Sequence, residues 1–182
     1  MLDRRAEEID ADMRLMLLRH AKAEKAESGM LDRDRRLSAR GRADAARIGA
    51  YLVQQALVPD RVMVSSAQRT RETWEHMAPA FSTAPPVDYE DSLYESGSQT
   101  ILTTIKAADR SISALLVIGH NPGLYDVARH LLAGGTHALD EGLPTGGVVM
   151  IDFADHDWHK LAARSGRLAV FVTPRLLDST KD

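Results

Sequence analysis

An unbroken apolar run near the start of the chain ends directly in an arginine and a histidine. Residues 15–18 read Leu-Met-Leu-Leu and are followed at once by Arg19 and His20. Such a run is typical of a strand buried on both faces, and open parallel sheets bind ligands at the carboxyl ends of their strands. A guanidinium can hold phosphate oxygens in a fork, and a neutral imidazole can act as nucleophile or base. Phosphate chemistry is therefore one interpretation. Since Arg-His pairs also end ordinary strands, the pair alone leaves catalysis open.

Apolar runs and segments of helical periodicity alternate along the rest of the chain. Ser38, Ser66 and Asn121 are suited to cap three of the helices, and Pro122 suits a first helical position. The alternation predicts an α/β fold, a three-layer α/β/α sandwich around a mostly parallel, doubly wound sheet. Predicted strands cover residues 15–18, 62–64, 114–118, 148–153 and 168–172, and a connection runs through residues 87–89. Predicted helices cover 38–56, a segment after Ser66, 98–108 and 122–132, the last ending at Gly134 and Gly135.

Composition predicts a single domain. The 182 residues are 44% apolar and 27% charged, with a net charge of -3. Interspersed charges argue against a broad nucleic-acid surface, and no apolar segment is long enough to span a membrane. Residues 1–12 read as a flexible arm before one domain at 13–182, with Met13 a possible alternative start, and they lack the apolar core of a secretory signal, so we expect a cytoplasmic protein. The absence of cysteine excludes a disulfide framework, a thiolate zinc site and a cysteine nucleophile.

Two further strand ends carry polar residues of the same kind. Arg69 falls in the first turn of the helix after the 62–64 strand, and His120 follows Gly119 at the end of the 114–118 strand. A helix N-terminus adds backbone N–H groups and partial positive charge, which favour a phosphoryl group. Arg69 alone could be a solvated helix residue, which is the interpretation we prefer for Arg71. Convergence of three strand ends on one sheet edge favours a shared anion site.

At these residues the sequence resembles the histidine phosphatase superfamily. The signature of that family is an L-R-H strand end, here residues 18–20, then S-x-x-x-R, here residues 65–69, and a late G-H, here residues 119–120. The surrounding motifs are similar to those of SixA-like phosphohistidine phosphatases in its branch 1, and they run in family order from about residue 13 to residue 175. They are R-H-A-K-A, L-S-A-R-G-R, L-Y-E, G-H-N-P-G, L-P-T-G-G and T-P-R.

The resemblance implies a phosphoglycerate mutase-like fold and a phosphatase that needs neither metal nor cofactor. His20 would attack phosphorus as a neutral imidazole and form a phosphohistidine that water then cleaves. Arg19, Arg69 and His120 would hold the non-bridging oxygens. In many members a carboxyl group of the loop around residues 90–95 protonates the leaving oxygen. By position Glu95 is the candidate here, against a solvated surface role.

Three functions remain open at this point. The first is removal of phosphate from phosphohistidine in proteins, the second is hydrolysis of small phosphomonoesters, and the third is non-catalytic phosphate binding. The SixA-like motifs favour the first, and a histidine at position 20 argues against the third because oxygens can be held without a nucleophile. The expected partner is a phosphorylated protein or a small phosphoester, with no nucleic acid and no membrane, and the oligomeric state is left open.

Other polar and aromatic positions have simpler interpretations. His156 and His159 form an H-x-x-H pattern, but a polar hairpin loop explains the pattern better than a metal site does. The charged loop at residues 24–36 reads as solvated surface at the mouth of the site. Trp74 and Trp158 read as packing residues rather than substrate platforms.

Overall fold

The computed structural model describes residues 12–134 and 137–179. Residues 1–11 of the predicted arm and Gly135 lie outside these ranges. These ranges contain six strands and five α-helices, which alternate along the chain except that the last two strands are consecutive. They are β1 (Met13–Arg19), α1 (Ala39–Gln54), β2 (Arg61–Ser65), α2 (Gln68–Met77), β3 (Val87–Glu90), α3 (Ser98–Lys106), β4 (Ala114–Gly119), α4 (Gly123–Leu131), β5 (Val148–Phe153), β6 (Arg167–Val172) and α5 (Pro174–Asp178).

The strands form one sheet in the order β3-β2-β4-β1-β5-β6. The β3, β2, β4 and β1 strands are mutually parallel, whereas β5 runs antiparallel to both β1 and β6. Leu18 pairs with Ile118, and Ile118 also pairs with Val64, so β1, β4 and β2 end level with one another. The sheet confirms the predicted α/β class, and its register brings three strand ends to one edge.

Alternation along the buried strands supplies the two halves of the core. Leu15 and Leu17 of β1 pack with side chains of α3 and α4, whereas Met16 and Leu18 pack with side chains of α1 and α2. Helix α5 contacts α1 on the second face. Successive side chains of a strand point to opposite faces, so a strand that is apolar throughout requires helices on both sides. Among the described residues, no helix is both long enough and apolar enough to cross a lipid bilayer.

One predicted helix cap is confirmed and two are wrong. The Ser38 hydroxyl accepts a hydrogen bond from the Gly41 backbone N–H at 3.1 Å. Ala67, not Ser66, occupies the N-cap position of α2, and the Ser66 hydroxyl instead accepts from Arg33 at 3.3 Å. A local cap is lost where the same side chain finds a partner in a different part of the chain.

The start of α4 also differs from the prediction. The helix begins at Gly123 rather than Pro122, and Pro122 occupies the N-cap position without a side-chain bond. The Asn121 side chain turns away from the helix and donates from Nδ2 to the Leu143 carbonyl at 2.8 Å. The helix ends at Leu131, before the predicted glycine pair.

Candidate active site

The level strand ends place four of the predicted site residues together. Arg19 is the last residue of β1, His20 follows it, and His120 follows the last residue of β4. Arg69 is the second residue of α2, the helix that begins just past β2. The His20 and His120 rings lie 5.3 Å apart between centroids, and Arg69 contacts both rings. The structure therefore brings His20, Arg69 and His120 into contact, with Arg19 adjacent to His20 in the chain.

His20 is arranged as a neutral imidazole with a defined lone pair. Its Nδ1 lies 2.8 Å from the Ala21 carbonyl, which can only accept, so Nδ1 is assigned the hydrogen. Its Nε2 then accepts from Nε of Arg69 at 3.3 Å. Burial, together with the charges of Arg69 and Arg19, lowers the pKa of His20 to about 4. At neutral pH the Nε2 lone pair is therefore available to a nucleophilic reaction.

Arg69 presents one edge of its guanidinium to the two histidines. The side chain is only 5% exposed. Nε reaches His20 and Nη2 reaches Nδ1 of His120, both at 3.3 Å. These long contacts on one edge are the ones that a phosphoryl oxygen pair would replace, because a guanidinium edge matches two oxygens of an oxyanion.

His120 is buried and held by a hydroxyl. Its Nε2 lies 2.7 Å from Oγ of Ser65, and the Tyr94 ring meets it edge-on with 5.6 Å between centroids. Burial and the neighbouring charge of Arg69 lower the pKa of His120 to about 3. Because Arg69 can only donate, Nδ1 of His120 accepts and Nε2 donates its hydrogen to Ser65. A hydroxyl can also donate, so Ser65 can still hold the ring if a bound oxygen takes the place of the Arg69 contact and Nδ1 carries the hydrogen.

Arg19 has free donors at the same edge. Its Nη1 donates to the Leu143 carbonyl at 3.0 Å. Its Nε is buried and has no hydrogen-bond partner among residues 12–134 and 137–179. A buried donor without a partner is costly, and a bound oxyanion would satisfy it. The cluster as a whole can bind a tetrahedral anion and offer an imidazole lone pair to its central atom.

Residues 15–111 match the sequence profile of the histidine phosphatase superfamily (branch 1), which includes Arg19, His20 and Arg69. The chain belongs to this superfamily. An uncharacterized protein of Mycobacterium leprae is 31% identical over 149 residues, which cover 79% of this chain and 89% of that protein. An uncharacterized chloroplastic protein of Arabidopsis thaliana is 29% identical over 167 residues, which cover 84% of this chain and 72% of that protein.

Solved structures extend the likeness to SixA-like histidine phosphatases. A protein of Agrobacterium tumefaciens assigned as the phosphohistidine phosphatase SixA is 31% identical, with a TM-score of 0.77 over 89% of this chain and 98% of that one. A protein of Nakamurella multipartitia with the same assignment is 28% identical, with a TM-score of 0.78 over 89% and 96% of the two chains. The predicted phosphoglycerate mutase-like fold and the SixA-like resemblance are thus confirmed.

Residues that the sequence did not single out complete the surroundings of this histidine phosphatase site. Asp32 lies in a short 3-10 turn, Asp32–Asp34, within the loop predicted as solvated surface at the mouth. Most of that loop is exposed, but the Asp32 carboxylate accepts from Arg69 at 2.9 Å and from the Tyr94 hydroxyl at 3.1 Å. The sequence signal that could have found it is the spacing of Asp32 and Arg35, which pair at 2.9 Å.

Glu95 does not contact the site. It is exposed, its backbone φ is 48°, and its carboxylate makes no hydrogen bond or ion pair within the described part of the chain. Its neighbour Tyr94 is the residue of this loop that contacts His120. The role of Glu95 as an acid stays a prediction.

Other sequence predictions have mixed outcomes. Arg71 is half-buried rather than fully solvated, and its guanidinium lies 4.5 Å from the centre of the Tyr89 ring. Trp158 is fully buried and donates to the Ile112 carbonyl at 2.7 Å, which confirms a packing role. His156 pairs with Asp12 at 3.1 Å. Among residues 12–134 and 137–179, no three or more His, Cys, Asp or Glu side chains form a group that could hold a metal ion.

Proposed function

We propose that this histidine phosphatase removes phosphate from phosphohistidine in proteins, with His20 as the nucleophile. The observation that supports the proposal most directly is the orientation of His20. Its Nδ1 is committed to the Ala21 carbonyl, and its Nε2 lone pair faces the edge of Arg69 that suits an oxyanion.

The proposed reaction has two displacements at phosphorus. Nε2 of His20 forms a bond to phosphorus while the bond from phosphorus to the substrate nitrogen breaks. The substrate, whose other ring nitrogen has first taken a proton from solvent, leaves as a neutral imidazole. Water then attacks the phosphorus on His20, the bond to Nε2 breaks, and inorganic phosphate leaves while the proton from water passes to solvent. Arg19 and Arg69 hold the non-bridging oxygens in both steps with preorganised positive charge that stabilises the transition state, and the neutral His120 holds an oxygen through a ring N–H.

The exposed position of Glu95 favours a phosphohistidine substrate over a phosphoester. An alkoxide leaving group needs a proton from an acid, and Glu95 makes no hydrogen bond or ion pair with the described residues. An imidazole can leave after taking up its own proton, so its departure does not require that acid. The SixA assignment of the similar solved structures points to the same substrate class.

The proposal is tested by comparing substrates. The purified protein is assayed against a phosphorylated histidine-containing phosphotransfer domain and a panel of small phosphoesters. We expect kcat/KM for the phosphoprotein to exceed that for every ester. Equal or faster hydrolysis of a sugar phosphate or nucleotide would assign the protein to the small phosphoesters instead.

Glu95→Gln separates the two classes at the level of a single residue. If Glu95 acts as the acid, the variant slows hydrolysis of a sugar phosphate and spares phosphohistidine hydrolysis, because the alkoxide of the sugar needs a donated proton to leave. Equal loss or no loss on both substrates would refute the assignment of Glu95.

A further inference from the structure

The guanidinium of Arg69 is held on two different edges. On the edge away from the histidines, Nη1 donates to the backbone carbonyl of Asp32 at 2.7 Å and Nη2 donates to its carboxylate Oδ2 at 2.9 Å. On the other edge, Nε and Nη2 contact His20 and His120 at 3.3 Å. The short bonds are those to Asp32. The bonds to Asp32 fix the plane of the guanidinium and direct its Nε and Nη2 edge toward His20.

Asp32 is itself fixed by other side chains. Its Oδ1 accepts from Nη1 of Arg35 at 2.9 Å, and its Oδ2 accepts from the Tyr94 hydroxyl at 3.1 Å. Arg35 is anchored in turn, because its Nε and Nη2 donate to the Glu24 carbonyl at 3.1 and 2.8 Å. Both carboxylate oxygens are thus engaged, and the loop from Glu24 to Arg35 is tied to the arginine of the site.

The charge state of Asp32 excludes a role as proton donor. Partial burial works against ionisation, but hydrogen bonds from Arg35 and the charge of Arg69 lower the pKa of Asp32 to about 2. A general acid must carry its proton at the working pH. Asp32 therefore enters the reaction as a carboxylate.

We propose that Asp32 is a positioning residue that orients Arg69 toward the phosphoryl group on His20. The inference rests on the proposed function, and it adds a residue outside the predicted site. An incoming oxyanion takes the Nε and Nη2 edge of Arg69, replacing the long contacts to the two rings, while Asp32 keeps the opposite edge.

The contact between Asp32 and Arg69 should weaken the binding of an oxyanion in the ground state, although it aligns Arg69 for the transition state. A carboxylate beside Arg69 offsets part of the cation's charge, which weakens ground-state attraction for an oxyanion. Alignment matters most in the transition state, where a misplaced group loses rate rather than binding. Loss of Asp32 should consequently slow turnover without weakening oxyanion binding, a split that general damage to the fold would not produce.

Asp32→Ala and Asp32→Asn are compared with Asp34→Asn, which makes the same chemical change as Asp32→Asn. All three remove one negative charge from the same turn. Asp34 is exposed, and its side chain makes no hydrogen bond or ion pair with the residues that the structure describes. Each protein is assayed for kcat on p-nitrophenyl phosphate and on a phosphorylated phosphotransfer domain, and tungstate binding, as a probe for the oxyanion, is measured by calorimetry.

For Asp32→Ala we expect kcat to fall roughly tenfold to a hundredfold on both substrates, as for a group displaced from its productive geometry. Tungstate should bind at least as tightly as to the unmodified protein. Asp32→Asn keeps an oxygen that Arg69 can reach, so it should recover part of the lost kcat. Asp34→Asn should match the unmodified protein in both measurements.

Three results would overturn the inference. They are an unchanged kcat in Asp32→Ala, a joint loss of kcat and tungstate affinity, and a loss of kcat on only one of the two substrates, since Arg69 serves the reaction with both. If the unmodified protein hydrolyses neither substrate, the proposed function fails on its own. The tungstate affinities still test Asp32 in that case, since weaker binding to Asp32→Ala contradicts the inference without reference to turnover.

Discussion

Burial and a shared cluster of positive charge keep both histidines of the site neutral. Burial is the larger cause at each ring, and Arg69 adds its charge to both. A protonated imidazole has no lone pair to offer at Nε2, so the same environment that destabilises the charged form also preserves the lone pair that the proposed mechanism needs on His20.

The pH dependence of His20 follows from its lowered pKa. The folded value is about 4, below the ordinary value of roughly 6.5 for a histidine in an unfolded chain. Between these two values the unfolded chain binds a proton that folded His20 does not, so the His20 contribution to stability falls as pH drops through that window.

NMR titration of the His20 ring measures this shift directly. We expect its ring nitrogens to report a neutral Nδ1–H tautomer down to about pH 5, with the signals assigned by their absence from His20→Asn. A midpoint near the ordinary histidine value of about 6.5 would contradict the environment described for this ring.

Arg69→Ala should lower kcat by about a hundredfold to a thousandfold, the range seen when one preorganised donor to a developing charge is removed. The matched control is Arg71→Ala, which removes the same side chain two positions along α2. Arg71 stacks on Tyr89 and contacts none of the residues 19, 20 and 120 in the described ranges. Steady-state kinetics on p-nitrophenyl phosphate compare the two, and equal losses would show that the position of Arg69 carries no special role.

Helices and strands were predictable where their signals are local. The apolar runs and the Ser38 cap depend on neighbours within a few residues, and both have the predicted outcome. The predicted caps at Ser66 and Asn121 failed because Arg33 and Leu143, distant in sequence, provide competing partners. Local chemistry cannot foresee such bonds, since they form only after the sheet brings the segments together.

Four residues of the candidate site were also predictable from local signals in the sequence. Arg19, His20, Arg69 and His120 stand directly after apolar runs, so a parallel sheet suffices to bring their strand ends together. Asp32 is 37 positions from Arg69 in the chain. The spacing of Asp32 and Arg35 indicates a local ion pair, but nothing in the charged loop shows that Asp32 will meet Arg69 until the loop folds over the site.

The crossing of α1 and α2 supplies a prediction for packing. Gly49 lies so close to Met77 that an added Cβ would come within 2.7 Å of its carbonyl oxygen and 3.0 Å of its Cα. Gly49→Ala should therefore destabilise the fold by about 1–3 kcal/mol as an overpacked contact, although alanine is the better helix former. Urea denaturation measures the change.

Gly97→Ala is the control for the Gly49 substitution. At Gly97 an added Cβ meets no atom of the described residues within 4 Å, and the backbone φ is -72°, which alanine adopts freely. Its free energy of unfolding should change far less. A Gly49→Ala protein as stable as the unmodified one would show that the two helices can separate without cost.

At the scale of the whole molecule, one mostly parallel sheet joins the parts of the site. The β1, β2 and β4 strands end level, the helices on both faces hold those strands in register, and the loop from Glu24 to Arg35 folds back onto Arg69. No single segment contains the site. Its chemistry depends on the sheet order that makes β1 and β2 the two neighbours of β4.

The central claim is that His20 carries the phosphoryl group during turnover. The direct measurement is rapid alkaline quenching of the protein with a phosphorylated substrate, followed by mass spectrometry of the peptide that contains residue 20. The account predicts one phosphoryl group on His20 in the steady state and none in Arg69→Ala mixed for the same short time. Continued turnover with His20 unmodified, or with the phosphoryl group on another residue, would contradict it.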